Sequence, residues 1–359
     1  MTIPSSLRAS LHSHRALLLL VLAYTAVVLL LAGSKPTRHD IAPLLASFAL
    51  AALTGPVFLL CAWTGYVMCA LRPARLCHFL YQALRRYLRR ERLLHALPAL
   101  LLVPLFALSF TTFKAAIPRL HPYDWDARLS TIDVALHGGT APWVWLQPLL
   151  GHPLLTGLLN AAYHFWFLLF YALLYWLILD TRRPLLRMQF LLSFTISWIV
   201  LGSVVAVLFS SAGPCYYGHF HASDPYAPLM AYLQESNHRV PVWALQVQDM
   251  LWQGYQSGGS VGELGISAMP SMHVATSVLM ALVAWPIRRI AGIALAAFTV
   301  LIMLGSVHLG WHYALDGYVG AAGAVVIWQA VGLVLRRRGA PASLSLGIAP
   351  CLNKEGLTP

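Results

Sequence analysis

The chain has 359 residues, of which 59% are hydrophobic and only 10% are charged, and its formal net charge is +12. Soluble domains carry about 25% charged residues, so this composition excludes an ordinary soluble globular protein. Apolar runs of about 20 residues, the length that crosses the hydrocarbon core of a bilayer, recur along the whole chain. The sequence therefore predicts an all-α polytopic membrane protein with no sheet.

Eight apolar segments predict membrane-spanning helices. In chain order they cover residues 16–33, 43–70, 96–113, 160–180, 189–210, 271–287, 290–307 and 315–335. Gly55-Pro56 falls within the second segment and is compatible with a kinked membrane helix. The first segment, which follows Arg8 and Arg15, could instead be a secretory signal, but no small-x-small cleavage site follows it.

The basic residues are divided unevenly between the two sides that these spans define. Of the 24 lysines and arginines, 18 fall on one side; the other six are Lys35, Arg38, Lys114, Arg119, Arg128 and Arg239. The positive-inside rule then places both termini in the cytoplasm. The basic, amphipathic stretch 76–95 predicts a helix on an anionic leaflet. The positive charge thus indicates a lipid bilayer as partner and not nucleic acid.

The chain divides into three predicted regions. Residues 1–113 hold the first three spans and the basic linker, 114–338 form a catalytic membrane domain, and 339–359 form a disordered tail. Within the second region, 114–159 predicts interfacial helices and 211–270 predicts a long outer loop, and loops of that length are usually functional. Most acidic residues and many histidines fall on the same outer side as these two segments, so the polar chemistry is expected there.

Two outer segments carry the groups needed for phosphoryl transfer. In "GISAMPSMHVATSV", His273 lies at a predicted helix start with Pro270 in the first turn, where free N–H groups favour an anion such as phosphate. In "GSVHLGWHYALDGYVG", His312 and Asp316 are one helical turn apart, so the carboxylate can orient the imidazole. One histidine can then attack phosphorus while the other protonates the leaving oxygen.

The two segments also resemble a known family. "PSMH" at 270–273 and "HYALD" at 312–316 are similar to the second and third signatures of the type 2 phosphatidic acid phosphatase superfamily, P-S-G-H and S-R-x5-H-x3-D. The bulky residue before His273, "DWDARLSTIDVALHGGTAPW" and "NAAYHFWF" look most like the inositol-phosphorylceramide synthase branch and its bacterial relatives. The resemblance covers roughly residues 120–325.

The resemblance implies a core bundle of six helices and a role for each signature residue. By it, His312 is the nucleophile, Asp316 is its orienting partner, His273 is the general acid and Ser271 holds the phosphate. It implies a phosphohistidine intermediate, with no cofactor and no metal.

The sequence departs from the family in the residues that clamp phosphate. The first signature, K-x6-R-P, is absent, and the arginine six residues before His312 is replaced by Ser306. "GPCYYGHFH" at 213–221 is where a substitute for the clamp is expected. The residues predicted to bind substrate are Ser271, His308, His219, Tyr217, Arg239 and His164, and further possible substitutes for the clamp are His221, Lys114 and Arg119.

Other polar residues have two interpretations each. His308 is either a wall of the site or an interfacial structural residue, and His164 either lines a polar cavity or forms a structural pair. His219 and His221 have the alternative of a metal site, although no cysteine or carboxylate pattern accompanies them. The aspartates of the first outer segment are interpreted as caps and ion pairs in preference to catalytic acids; they are Asp124, Asp126 and Asp133.

Three functions fit these observations. The first is a lipid phosphotransferase that moves a headgroup between phospholipid or sphingolipid substrates, with its site on the non-cytoplasmic face. The second is a lipid phosphatase, in which water takes the phosphoryl group from a phosphomonoester. The third is a transporter with a histidine and aspartate relay. A relay would place polar groups near mid-membrane, whereas these groups cluster at one face, which favours an enzyme.

Overall fold

The computed structural model describes residues 5–32, 53, 55–257 and 265–337, and all regular structure within them is helical. The first helices are α1 Ser5–Ser13, α2 Arg15–Ala32, α3 Gly55–Leu71, α4 Leu76–Tyr87 and α5 Arg90–Leu120. The next are α6 Asp126–Leu136, α7 Pro142–Leu150, α8 Pro153–Leu179 and α9 Pro184–Leu208. The last are α10 Tyr217–Phe220, α11 Ala227–Arg239, α12 Trp243–Gln256, α13 Met272–Ala284, α14 Arg289–His308 and α15 Ala314–Arg337.

The apolar helices coincide with the predicted spans. By length and composition, α5, α8, α9, α14 and α15 can each cross a membrane, and α2, α3 and α13 are shorter apolar helices. All eight predicted segments therefore contain a helix, which confirms an all-α, multi-pass membrane protein. The beginning of the second predicted span, before residue 53, and the tail 339–359 lie outside the described residues.

Helix α13 is at the centre of the bundle. It packs against α8, α9, α14 and α15, and Val274, Leu279 and Met280 on it are almost fully buried. Glycine on α15 permits a close backbone approach, as is common between membrane helices: a Cβ on Gly320 would lie 2.6 Å from the carbonyl oxygen of Ser271. The start of α13 is therefore held directly against α15.

The N-terminal helices α2 and α5 pack against α9. The hydroxyl groups of Tyr24 on α2 and Ser203 on α9 are 2.8 Å apart, and the ring of Phe110 on α5 packs edge-on against Trp198 of α9. Near the start of α9, the buried guanidinium of Arg187 donates to His14 and His95. These contacts join the N-terminal region and the predicted catalytic region in one bundle.

Two predicted segments differ from the sequence analysis in their local structure. Much of the stretch 211–270 is helical, in α10, α11 and α12, because its apolar side chains are spaced to bury Leu229 and Leu233. The amphipathic stretch 76–95 is also not one helix, since α4 ends at Tyr87 and α5 begins at Arg90. Its last residues, 90–95, form the beginning of α5, and the buried residues of that helix begin just after them, at Ala96.

Candidate active site

His312 and Asp316 meet at the start of α15. The chain leaves α14 at His308 and turns at Gly310, whose φ of +73° is in the left-handed region that favours glycine. His312 Nδ1 is then 3.3 Å from Asp316 Oδ2, and both side chains are buried. Because α15 begins only at Ala314, the pair does not share a helical turn as predicted. The expected contact forms nevertheless, and it leaves His312 Nε2 free to react.

Asp133 of α6 fixes the segment that carries His312. Its carboxylate accepts hydrogen bonds from the N–H groups of Ala314 (3.1 Å) and Leu315 (2.9 Å), and it thereby caps α15. Burial raises the pKa of Asp133, while these two donors oppose the rise. A small cavity borders His312, and Asp133, Trp143 and Tyr226 are among the residues that line it.

Asp126, two turns earlier on α6, holds the neighbouring loop. Its buried carboxylate accepts hydrogen bonds from the N–H groups of Ala212 (2.8 Å) and Gly213 (2.9 Å) and from the hydroxyl of Tyr313 (2.8 Å). Burial raises the pKa of Tyr313, so its hydroxyl stays a donor. Asp133 is thus a helix cap, as interpreted from the sequence, whereas Asp126 caps no helix and instead holds a loop; both carboxylates serve the segments around His312.

His273 sits in an aromatic enclosure contributed by α8. Its ring is stacked on Tyr163 with centroids 4.7 Å apart, lies 4.3 Å from Trp166 and meets Phe167 edge-on at 5.4 Å. The buried His273 Nε2 has no hydrogen-bond partner in the described part of the chain. These ring contacts fix the orientation of the imidazole, and they leave Nε2 as the atom without a partner among the described residues.

Ser271 links the two signature segments. It is the N-cap of α13, and its N–H donates to the backbone carbonyl of Asp316 at 3.0 Å. Its hydroxyl accepts from the N–H of Val274 at 3.5 Å. Pro270 thus precedes the helix and is not in its first turn as predicted. The helical N–H groups left for an anion are those of Met272 and His273.

The family model described as PAP2 superfamily matches residues 127–330, more than half of the chain. The chain belongs to the PAP2 superfamily. The matched region begins in α6 and ends in α15, so it contains both signature segments and Asp133. No curated protein and no solved structure matches the chain.

Membership of the PAP2 superfamily confirms the family predicted from the two signatures. It indicates an enzyme of the phosphatase or phosphotransferase type that acts on lipid phosphoesters. Assignment to the inositol-phosphorylceramide synthase branch stays a prediction, as do the individual roles of the site residues.

Of three further residues predicted to bind substrate, His164 acts on a signature residue, and His308 and Tyr217 have other partners. His308 is fully buried, and its Nε2 is 2.9 Å from the hydroxyl of Thr156. His164 bonds through Nδ1 to the carbonyl of Asn160 at 2.8 Å and is close enough to His273 to act on it electrostatically. Tyr217 packs on Tyr226, which in turn packs on Tyr313.

The other two lie further out. His219 is exposed and stacks on Trp252, with ring centroids 3.9 Å apart. Arg239 is exposed and forms an ion pair with Glu235 at 3.2 Å. Neither has a contact with a signature residue among those that the structure describes. Within the described ranges, no three side chains of His, Cys, Asp or Glu come together as metal ligands.

Lys114 is a basic residue that acts on His273. It lies near the end of α5, is half-buried and is close enough to His273 to act on it electrostatically. None of the ion pairs in the described part of the chain involves it. It is therefore available as the positive charge of the site, as the prediction that it replaces a missing clamp residue requires.

Sequence reasoning missed two hydroxyl groups beside the histidines. Tyr163 on α8 and Ser306 on α14 are both buried, and neither hydroxyl has a hydrogen-bond partner within the described residues. The signal for Tyr163 was the string "NAAYHFWF", and the signal for Ser306 was its position in place of the signature arginine.

Proposed function

We propose that this protein is a lipid phosphotransferase that moves a phosphate-linked headgroup from a phospholipid to the hydroxyl group of a second lipid. The observation that carries the proposal is the buried contact between His312 Nδ1 and Asp316 Oδ2, because it leaves Nε2 as a nucleophile with a carboxylate behind it. The unpaired Nε2 of His273, at the start of α13, supports the role of general acid for that residue.

The proposed first step forms a phosphohistidine. The lone pair of His312 Nε2 attacks phosphorus and forms a P–N bond, and the bond between phosphorus and the oxygen of the leaving lipid breaks. His273 gives its proton to that oxygen, so that the lipid departs as a neutral alcohol. The carboxylate of Asp316 stabilises the positive charge that develops on the ring of His312.

The proposed second step reverses the roles. The hydroxyl oxygen of the acceptor lipid attacks phosphorus, its proton passes to His273, and the P–N bond breaks. The products are the new lipid and the original His312, and each proton lost in one step is recovered in the other.

Charge and water access favour transfer from a phosphodiester. No arginine or lysine forms an ion pair or hydrogen bond with Ser271, His273, His312 or Asp316 among the described residues. A phosphodiester carries one negative charge, whereas a phosphomonoester carries about 1.5–2 near pH 7, so a site with few cations suits the diester. The rings around His273 also limit access of water to the reacting group.

The alternative is a lipid phosphatase, in which water replaces the acceptor alcohol. The two reactions are separated by incubating the purified protein with a phospholipid labelled in its headgroup, with and without an acceptor lipid. A new labelled lipid that forms only with acceptor supports transfer. Release of labelled headgroup phosphate without acceptor supports hydrolysis. Intact substrate in both arms contradicts the transferase, and intact substrate in a further arm with a lipid phosphomonoester contradicts the phosphatase as well.

A further inference from the structure

Ser306 lies at the start of the turn that leads to His312, the proposed nucleophile. It lies in the last turn of α14, its side chain is fully buried, and its carbonyl accepts a hydrogen bond from the N–H of His312 at 3.0 Å. It also stands six residues before His312, where the family signature has an arginine. Its hydroxyl is therefore a candidate to take over the phosphate contacts of that arginine.

Tyr163 brings a second hydroxyl to the same place from α8. Its ring is stacked on His273, and a Cβ on Gly305 would lie 3.0 Å from its Cδ2, so glycine allows α14 to approach this ring closely. The Tyr163 hydroxyl lies beside that of Ser306, yet the two do not reach hydrogen-bond geometry, and neither has another partner in the described part of the chain. The Tyr163 side chain thus extends from His273 to the turn of His312.

The unpaired polar atoms in this region form a group. Besides the two hydroxyls, His273 Nε2, Asp316 Oδ1 and Trp311 Nε1 are buried without a partner among the described residues. Native proteins pair nearly all buried polar atoms, so a group of unpaired ones beside both signature histidines needs an explanation such as a bound ligand. A ligand whose oxygen atoms accept hydrogen bonds would pair the hydroxyls, which are donors.

We infer that the hydroxyls of Tyr163 and Ser306 donate hydrogen bonds to the non-bridging oxygens of the substrate phosphoryl group, in place of the missing arginine. The inference rests on the proposed function, because it needs a phosphoryl group between His273 and His312. Two neutral donors orient the phosphoryl oxygens without adding positive charge to the site. They can therefore bind a phosphodiester, which carries one negative charge, and they do not require the dianion of a monoester. They also stay in place as charge develops on the oxygens in the transition state.

The test compares Tyr163→Phe and Ser306→Ala with wild type, using a p-nitrophenyl phosphodiester as substrate and orthovanadate as an inhibitor that mimics the phosphoryl group. Tyr163→Phe keeps the ring on His273 and removes only the oxygen. Loss of one such donor reduces kcat by about 10²–10³-fold in a preorganised site. We expect kcat/KM to fall by at least about 10-fold in each variant, and orthovanadate to inhibit each one more weakly by a similar factor.

Matched controls separate binding from folding. Tyr171→Phe removes a hydroxyl from the same helix, and Ser193→Ala removes a buried, unpaired hydroxyl from α9. Both controls should retain wild-type inhibition, and all four variants should keep a Tm near that of wild type. If Tyr163→Phe and Ser306→Ala respond to orthovanadate as the controls do, the inference is wrong. If wild type itself neither turns over nor binds orthovanadate, the proposed function is wrong instead.

Discussion

The backbone N–H of Ser271 donates a 3.0 Å hydrogen bond to the backbone carbonyl of Asp316. This bond joins the segment that carries His273 to the segment that carries His312, although the two are separated by the whole of α14 in the chain. The approach of Gly320 to Ser271 holds the same junction from one turn further along α15. The two histidines are therefore set in one rigid frame, as their proposed roles of nucleophile and acid require.

The two histidines should respond differently to removal. His312→Ala should abolish both turnover and the phosphohistidine, since no other imidazole takes its place. His273→Ala should slow turnover of ordinary lipids by about 10²–10⁴-fold, the usual contribution of general acid catalysis. A p-nitrophenyl phosphodiester needs little protonation of its leaving group, so it should restore most of the activity of His273→Ala. Recovery of His312→Ala alone would reverse the assignment.

Asp316→Asn tests the carboxylate behind the nucleophile. Asparagine keeps the size of the side chain but removes the charge that stabilises the ring of His312. A comparable change beside a catalytic histidine lowers kcat by about 10⁴-fold, and we expect a loss of at least about 10²-fold here. The rate of phosphohistidine formation should fall while KM and Tm stay near wild type. A variant with unchanged kcat would show that Asp316 acts only in packing.

Asp133→Ala tests the cap on α15. Loss of a helix cap costs about 0.5–2 kcal/mol, and here it also releases the segment of His312, so kcat should fall together with Tm. Asp133→Asn keeps one acceptor oxygen and should lie between wild type and Asp133→Ala in both measurements. Asp124→Ala is the control, since Asp124 is 61% exposed and should change neither quantity. Full activity of Asp133→Ala would show that the cap does not position His312.

Arg187→Ala should destabilise the bundle without affecting the chemistry. His14 Nδ1 bonds to the carbonyl of Ser10 at 2.7 Å, so its proton is on Nδ1 and its Nε2 accepts from Arg187. Removal of the arginine leaves acceptors unpaired and a cavity behind, which together cost roughly 2–5 kcal/mol. Thermal unfolding in detergent should show the loss, with kcat per folded molecule unchanged.

Arg183→Ala is the matched control for that measurement. Arg183 is 38% exposed, and its buried partner Asp180 keeps a hydrogen bond from the N–H of Arg182, so loss of Arg183 should cost less than loss of the fully buried Arg187. An equal loss of stability in both variants would contradict a special role for the cluster of Arg187, His14 and His95.

The orientation in the membrane follows from the distribution of lysine and arginine. We expect the segments 211–270 and 305–316 to face the non-cytoplasmic side, with both termini in the cytoplasm. A reporter that functions only outside the cytoplasm, fused after residue 240, should be active. Activity of a cytoplasm-only reporter at the same position would reverse the topology and place the active site inside.

The helices and the reactive pair could be predicted because both are local patterns. Apolar runs specify spans directly, and the spacing of His312 and Asp316 allows contact through a helix or, as found, through a turn with a capped start. The partners of Asp133 could not be predicted from the sequence, since Ala314 is 181 residues away and donates only its backbone N–H. Every residue except proline has a backbone N–H, so the identity of the residue does not show which N–H group will donate to Asp133.

The enclosure of His273 was beyond sequence reasoning for a related reason. Tyr163 and Trp166 lie in an apolar run in which aromatic residues are expected to pack against lipid or other helices. Only the packing of α8 against α13 shows that their rings meet an imidazole. The helices in 211–270 were missed because their short apolar stretches are separated by proline and glycine, which resemble loop signals.

The two buried carboxylates on α6 also constrain the length of the chain between them. Asp126 and Asp133 are seven residues apart, so they project from nearly the same face of the helix, one to the loop at 212–213 and one to the start of α15. Inserting a single residue between them would rotate one carboxylate by about 100° relative to the other. The spacing of the two aspartates in "DARLSTID" therefore sets the position of the loop relative to the start of α15. Insertions and deletions there should be far less tolerated than substitutions of its outward-facing residues.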